Sequence, residues 1–332
     1  MSISTKLSQL ASSYNSGGIN GFKNRIINGA MVISQRNNST SVTIAAGTAQ
    51  YTVDRYFVNN DADSVLAVIQ DTSAPSGFTN SLKVTVSTAD ASIGATQNAY
   101  VAQNIEGNNV SDFGLGAAGA ATYTLSFWVK SSLTGTFGGV FGNSALDYTY
   151  PFTYAINAAN TWEQKTITVS GAVAGTWLTT NGIGLRVFFA LGTGSTYLGT
   201  ANAWAATQYR GATGQTQVIS TVNATWQVTG VQLEKGSTAT SFDYRPYGTE
   251  LALCQRYYST ANSAFAIGSA TFTTSMMPYK VTMRTTPTIT RLANWNSGGE
   301  TGTSVSVSTN QEALLFNSSA NVGGTYTLSA EL

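Results

Sequence analysis

Between residues 22 and 247 the chain is written in short runs of alternating apolar and polar residues, separated by glycine and asparagine clusters. A period of two gives each run one face for a core and one for solvent, the requirement of a half-buried β-strand. Residues 81–86 alternate in this way, and so do residues 123–130, where Leu125, Phe127 and Val129 share one face while Trp128 and Lys130 share the other. Further strands are expected at 166–169, 183–189 and 225–234. In the last of these Trp226 and Val228 fall on one parity and Val231 and Leu233 on the other, with Gly230 at the change. A β-bulge is expected there. Turns are expected at Asn108-Asn109, Gly114 to Gly119, Gly138-Gly139 and Gly192 to Gly199. Many short strands joined by such turns predict an all-β chain whose 22–247 segment is a jelly-roll β-sandwich.

Two smaller pieces flank it. In the arm 1–21, Leu7, Leu10, Ala11 and Tyr14 recur at helical spacing and Gly17-Gly18 stops the pattern, which predicts a short N-terminal helix. Such a helix is marginal alone. It either caps its own domain or acts as a docking and oligomerisation arm through Leu7, Leu10 and Tyr14. Residues 248–332 predict a smaller C-terminal β-domain, with a helical turn at 250–258 and strands at 270–275, 279–283, 288–292, 304–308 and 326–330. No internal repeat of a solenoid kind is present, which weighs against a β-helical shaft.

Composition then removes whole classes of chemistry. Only 9% of the 332 residues are charged, against roughly 25% in an ordinary soluble domain. Aromatics reach 11%, so the deficit is not that of a disordered chain. The surface is polar but uncharged, a composition suited to close packing between copies. A net charge of +1 gives no long-range field for nucleic acid or an acidic membrane. The absence of histidine removes histidine-based triads and histidine-ligated zinc. The single cysteine, Cys254, cannot form an intrachain disulfide and reads as a small core residue. No apolar run is long enough to span a membrane, and the first ten residues have no signal-peptide core. The expected setting is therefore folding in a cytoplasm, with no membrane insertion.

Candidate chemistry is sparse. Asp112-Phe113-Gly114 matches a kinase tripeptide without any of its companions, and Gly192-Thr193-Gly194-Ser195 lacks the lysine of a phosphate loop. Asp61-Ala62-Asp63 has no EF-hand spacing. No metal and no cofactor is expected, although calcium held by backbone carbonyls would leave no trace in sequence. Glycoside hydrolysis needs two carboxylates across a cleft; Asp147, Glu163 and Asp243 lie near aromatics, but their spacing pairs none of them, so no catalytic residue is assigned. Sugar binding asks for flat aromatic faces with amides and hydroxyls around them. The long segment 191–215 offers Tyr197, Trp204 and Tyr209 in that company. The alternative is that these rings pack against a neighbouring subunit or close the end of the sandwich.

Several segments resemble a family of bacteriophage and prophage virion proteins, tail-fibre or carbohydrate-binding-domain-like. The longest runs from Phe242-Asp243-Tyr244-Arg245-Pro246-Tyr247-Gly248 through Cys254-Gln255-Arg256-Tyr257-Tyr258. Others are Ile27-Asn28-Gly29-Ala30-Met31-Val32-Ile33-Ser34-Gln35-Arg36, Tyr51-Thr52-Val53-Asp54-Arg55-Tyr56-Phe57, Leu125-Ser126-Phe127-Trp128-Val129-Lys130 and the run from Ala224 to Gly236. They occur in the family's order and cover roughly residues 22 to 290. The resemblance implies a virion structural protein, assembled in host cytoplasm, of tail-fibre or receptor-binding type, with itself, other virion proteins and a host surface glycan as partners. A capsid decoration or head-fibre role is the alternative, and a polysaccharide depolymerase a third. It carries no catalytic residues with it.

Two expectations complete the reading. Phe242, Tyr244, Arg245, Pro246 and Tyr247 form an inter-domain joint in which Pro246 fixes the chain and buried rings bridge two cores. The low charge and the scarcity of Lys and Pro on edge strands predict self-association. The fibre resemblance and the N-terminal stripe make that a homotrimer.

Overall fold

The computed structural model describes residues 22–265, 273–294, 304–307, 313–318 and 322–332. The described residues are all-β apart from one α-helix and a few single 3-10 turns. It divides into two compact units, Met1–Arg245 and Pro246–Leu332, slightly earlier than the expected boundary after Tyr247. The predicted helix of the N-terminal arm lies outside the described residues.

The first unit is a jelly-roll sandwich of two six-stranded antiparallel sheets, with strands numbered in chain order. Sheet A runs β1 (Val42–Ile44), β4 (Val65–Asp71), β5 (Ser81–Thr88), β14 (Thr225–Lys235), β7 (Tyr123–Ser131), β10 (Glu163–Val169). Sheet B runs β2 (Thr48–Tyr51), β3 (Phe57–Asn60), β6 (Asn98–Glu106), β11 (Ile183–Thr193), β8 (Gly135–Gly142), β9 (Thr149–Ile156). The alternation seen in sequence sets the core. Leu125, Phe127 and Val129 from β7 and Trp226 and Val228 from β14 meet Val187 and Phe189 from β11 in one buried cluster. Each such side chain contributes about 1.5–3 kcal/mol by leaving water. Residues of the other parity on sheet B, Tyr100, Ala102, Val140 and Phe188, form a second cluster with Leu146 and Phe57. Sheet B is thus apolar on both faces over its middle strands.

The bulge expected at Gly230 is present. Thr229 pairs with Trp128 and Gln232 with Ser126, so Gly230 and Val231 together face the one residue Phe127. Gly230 has φ +59, and a Cβ there would sit 2.6 Å from the Phe78 ring, so only glycine fits without displacement. The bulge also changes the partner of β14. Before it, Thr225–Val228 pair with β5. Beyond it, the same edge is taken by an irregular segment: the Val231 N–H donates to Gly29 O (2.9 Å), Arg25 N–H to Leu233 O (2.8 Å) and Leu233 N–H to Asn24 Oδ1 (3.0 Å). A turn at Asn28–Met31, closed by the Met31 N–H on Asn28 O (3.0 Å), follows directly.

Two local expectations fail for identifiable reasons. Gly138 and Gly139 are not a turn but lie inside β8. A Cβ on Gly139 would fall 2.3 Å from the Phe152 ring, and one on Gly138 would fall 2.0 Å from Gln215 Oε1; their glycines admit close neighbours rather than reverse the chain. The edges, too, are guarded. β1 and β2 have three and four residues. β10 carries Glu163 and Lys165, paired at 2.6 Å, and β9 is covered by a bridge from Ala205 to Thr149. Short, charged and covered edges are how sheets resist pairing with other chains.

In the second unit, helix α1 (Tyr247–Gln255) starts after Pro246, whose carbonyl accepts from Thr249 and Glu250 N–H. Cys254 is buried there. Two three-stranded antiparallel sheets follow, β15 (Tyr258–Phe265), β20 (Val322–Ser329), β17 (Thr288–Asn294) and β16 (Thr273–Pro278), β19 (Ala313–Ser318), β18 (Ser304–Val307). The strand expected at 279–283 is absent. Pro278, without an N–H, closes β16, and the bends after it are held by Arg284, whose guanidinium donates to Ala330 O (2.6 Å) and Glu331 O (2.7 Å).

Candidate functional site

The aromatic segment after β11 folds over the outer surface of sheet B. A 3-10 turn at Ser195–Tyr197 leads into a short parallel pair, β12 (Leu198–Gly199) with β13 (Gly211–Ala212). Between them the chain is fastened to β9: Asn202 N–H donates to Pro151 O (2.8 Å), and the Thr149 hydroxyl donates to Thr207 O (2.6 Å).

The structure separates the three rings that sequence grouped here. Trp204 is wedged among Tyr148 (5.6 Å between centroids, stacked), Tyr150 (5.2 Å) and Trp177 (5.5 Å, edge-on). Its indole N–H donates to Ser170 O at 2.9 Å. With one face stacked and its only donor used, Trp204 fastens the loop to the sandwich. Tyr209 covers Gly199, where a Cβ would be 2.4 Å from its ring. Tyr197 alone faces a charged group: the Arg210 guanidinium lies 5.5 Å from its centroid. Trp204 and Tyr209 thus pack within the chain, and Tyr197 belongs to a different constellation.

That constellation is built from four strands. On the outer face, Phe57 of β3 is opposite Ala102 of β6, and Ala102 is opposite Phe188 of β11. Rings follow one another across the strands: Tyr51 to Phe57 at 5.5 Å, Phe57 to Tyr100 at 5.9 Å, Tyr100 stacked on Phe188 at 4.4 Å. Arg210 closes the row, 5.8 Å from the Phe188 centroid on one side and against Tyr197 on the other. Tyr100 and Phe188 are the buried floor. Tyr51, Phe57 and Tyr197 are half-exposed. Polar groups rim the row: the half-exposed Asn59 amide donates to Asn98 Oδ1 (3.3 Å), Asn98 to Asp61 Oδ2 (3.2 Å), and Arg186 to Asn104 Oδ1 (3.1 Å) and Ser144 O (2.9 Å). At the far end Arg36 lies 5.0 Å from the Tyr51 centroid and 3.9 Å from Asp54.

The electrostatics follow from this crowding. Burial lowers the pKa of both Arg186 and Arg210, opposed chiefly by the Tyr100 phenol beside them. Burial likewise raises the Tyr100 phenol, and the two guanidiniums pull it back. Both arginines stay cationic, as guanidinium does in proteins, but in a poorly solvated place.

The carboxylates weighed for catalysis are occupied elsewhere. Glu163 accepts from Lys165 (2.6 Å) and from the Asn157 and Ala158 N–H groups, and the lysine bond first of all holds its pKa down to about 2. Asp147 accepts from Asn143 Nδ2 (2.6 Å) and Asp243 from Asn24 N–H (3.2 Å). Asp112 pairs with Arg25 (3.0 Å) and Lys235 (3.6 Å). Among the described residues no three His, Cys, Asp or Glu side chains are grouped to hold a metal; Asp63, named for calcium, donates its N–H to Asp90 Oδ2.

The remaining site residues divide. Phe242 and Tyr244 pack on Phe78 of the first unit (5.0 and 5.6 Å), and Tyr244 OH donates to Gly77 O (2.8 Å). Arg245 lies over Phe22 (5.1 Å) and donates to Ile26 O and Asn24 O. Tyr244 and Tyr247 are 59% and 63% exposed. Pro246 and Tyr247 open the second unit. Leu7, Leu10 and Tyr14 lie outside the described residues.

No protein family matches the sequence, and no curated protein is similar to it. Among solved structures, the enzymatically active domain of bacteriophage CBA120 tailspike protein 4 aligns with 64% of this chain and 22% of its own, at 12% identity and a TM-score of 0.35. The N-terminal cellulose-binding domain of Cellulomonas fimi β-1,4-glucanase C aligns over 60% and 90%, at 13% and 0.26. The C-terminal family 22 carbohydrate-binding module of Clostridium thermocellum Xyn10B aligns over 57% and 92%, at 13% and 0.31.

Proposed function

We propose that this chain is a non-enzymatic, glycan-binding subunit of a bacteriophage virion, of fibre or receptor-binding type, and that the glycan lies on the outer face of β3, β6 and β11. The observation that carries the site is the unbroken row from Tyr51 to Tyr197, with amides and guanidiniums along its rim. Half-exposed rings take the apolar faces of pyranoses, and amide and guanidinium donors take ring hydroxyls. The virion assignment is supported by the motif resemblance alone. The non-catalytic reading is supported by the bonding of the candidate carboxylates, Glu163 to Lys165 and two backbone N–H groups, Asp147 to Asn143 and Asp243 to Asn24. The partners are a host surface glycan, other virion proteins and further copies of the chain, three in all.

The test is a glycan array with the full-length protein and two variants. Phe57→Ala is expected to lower binding at least tenfold with little change in melting. Trp204→Ala is expected to keep binding and to cost about 2 kcal/mol, roughly a 5 °C fall in Tm, because a half-buried ring loses its stack and its bond. The reverse pattern would move the site to the Trp204 cluster, and no binding at all would leave only a structural role such as head fibre. Light scattering at micromolar concentration is expected to return three times 34.8 kDa; the mass of one chain would overturn the trimer.

A further inference from the structure

The row of rings ends on two guanidiniums that have no carboxylate of their own. Among the described residues the Arg210 guanidinium makes a single hydrogen bond, to Tyr209 O at 3.3 Å, and otherwise rests on ring faces. Four of its five N–H groups are therefore unspent. Arg186 spends two, on Asn104 and Ser144, and its buried Nε has no partner at all. Neither guanidinium has a carboxylate oxygen within 4.0 Å among the described residues. Other arginines of this unit are placed differently: Arg25 is paired with Asp112 and Arg36 with Asp54.

An unpaired, poorly solvated cation is costly, and two of them near each other more so. Arg186 stands two residues before Phe188 on β11, on the same outer face, and Arg210 lies 5.8 Å from the Phe188 centroid, so the two cations flank one ring. Asp61 is the carboxylate that acts on Arg210 and Tyr100. It is exposed, and one of its oxygens accepts from Asn98, so it offsets the two cations only partly. A cation pair kept half-buried beside a ring surface is the arrangement an incoming anion would complete, since a carboxylate accepts two N–H bonds from one guanidinium in a planar fork.

We infer that the glycan is acidic: a polysaccharide whose sugars carry carboxylates, with an acid group seated between Arg186 and Arg210 and its successive sugars along the row of rings from Tyr197 to Phe57. This rests on the outer-face reading above and specifies its ligand. Neutral sugars would satisfy the rings but leave the guanidiniums without counter-charge. Specificity arises because the site rejects a ligand that strands its polar groups.

The experiment uses the full-length protein with polygalacturonate, alginate and hyaluronan oligosaccharides, each beside its carboxyl-reduced counterpart, and with cello- and xylo-oligosaccharides as neutral probes. At least one acidic probe is expected to bind, and its carboxyl-reduced form to bind at least tenfold more weakly. Arg210→Gln is expected to erase that difference while melting unchanged, because Arg210 holds only one backbone carbonyl. Arg186→Lys, which keeps the charge and a donor for Asn104, is expected to weaken the acidic probe without loss of fold. Rising salt from 50 to 500 mM should weaken the acidic probe alone. Equal binding of acidic and reduced forms, or binding of neutral probes only, overturns the acidic ligand while the outer-face site survives. Binding of an acidic probe that ignores Arg210→Gln but is lost in Phe57→Ala does the same. No binding by any probe overturns both readings.

Discussion

Trp226→Ala is expected to lower the stability of the sandwich by about 3–5 kcal/mol, read as a fall in the urea midpoint of the first unit. The indole is wholly buried on β14, packs on Phe189 across the core at 5.4 Å, and donates to the Tyr154 hydroxyl at 3.1 Å. It thus joins sheet A to β11 and β9 of sheet B at once. Truncation leaves a cavity too well framed by Phe127, Phe189 and Tyr154 to collapse, since those rings already pack on each other at 5.0–5.1 Å. It also leaves Tyr154 OH without its donor, and burial holds that phenol well above its ordinary pKa, so it cannot ionise to compensate. Trp226→Phe keeps most of the packing and should cost about half as much. Domains are stable by only some 5–15 kcal/mol, so the alanine variant should be partly unfolded at 37 °C. A midpoint equal to the parent's would show that the two sheets are not joined through this ring.

The second large effect is expected at Asn28. Its side chain is buried and serves three backbone groups: Nδ2 donates to Ile33 O (2.9 Å) and Asp54 O (3.0 Å), and Oδ1 accepts from Ile33 N–H (3.0 Å). Its own φ is +59, a region that costs an alanine about 1–2 kcal/mol. With the buried groups it would strand, at about 1–3 kcal/mol each, Asn28→Ala should cost about 3–5 kcal/mol after relaxation. Asn28→Gly removes the same bonds without the backbone strain, so it should be the milder by about 1 kcal/mol. Identical losses in the two would mean that backbone strain at residue 28 contributes nothing. Asp54 is part of the same knot, accepting from Gln35 N–H (2.9 Å) and Gln35 Nε2 (2.6 Å). Two of the segments that suggested a virion family therefore fold into one buried polar network, which explains their residues without any ligand.

Where a residue's environment is local, the sequence was readable. The faces of β7 and the parity change in β14 need only the chain's own period, and both are found as read. Gly138 and Gly139 were misread because the reason for each lies on another strand, in Phe152 and Gln215. The row of rings on sheet B is not legible in sequence for the same cause. Tyr197 stood in the expected segment, but Tyr51, Phe57, Tyr100, Arg186 and Arg210 come together only through the register of β2, β3, β6 and β11. One signal was available. In Val187-Phe188-Phe189 and Tyr100-Val101-Ala102 adjacent residues are all apolar, so both faces of those strands need cover. Only one of them could belong to the main core.

The bulge at Gly230 has a consequence for how the sandwich is wired to whatever lies on either side of it. Because β14 gives up β5 for the segment Asn24–Gly29, and because Arg245 then reaches back to Asn24 and Phe22, the chain enters and leaves the sandwich at one corner. A module whose two ends share a doorway can be spliced into a loop of an unrelated host, or removed from one, with no strand left dangling. Residues 22–245 are in that sense a cassette, with entry and exit side by side and the row of rings on its opposite sheet left clear of both.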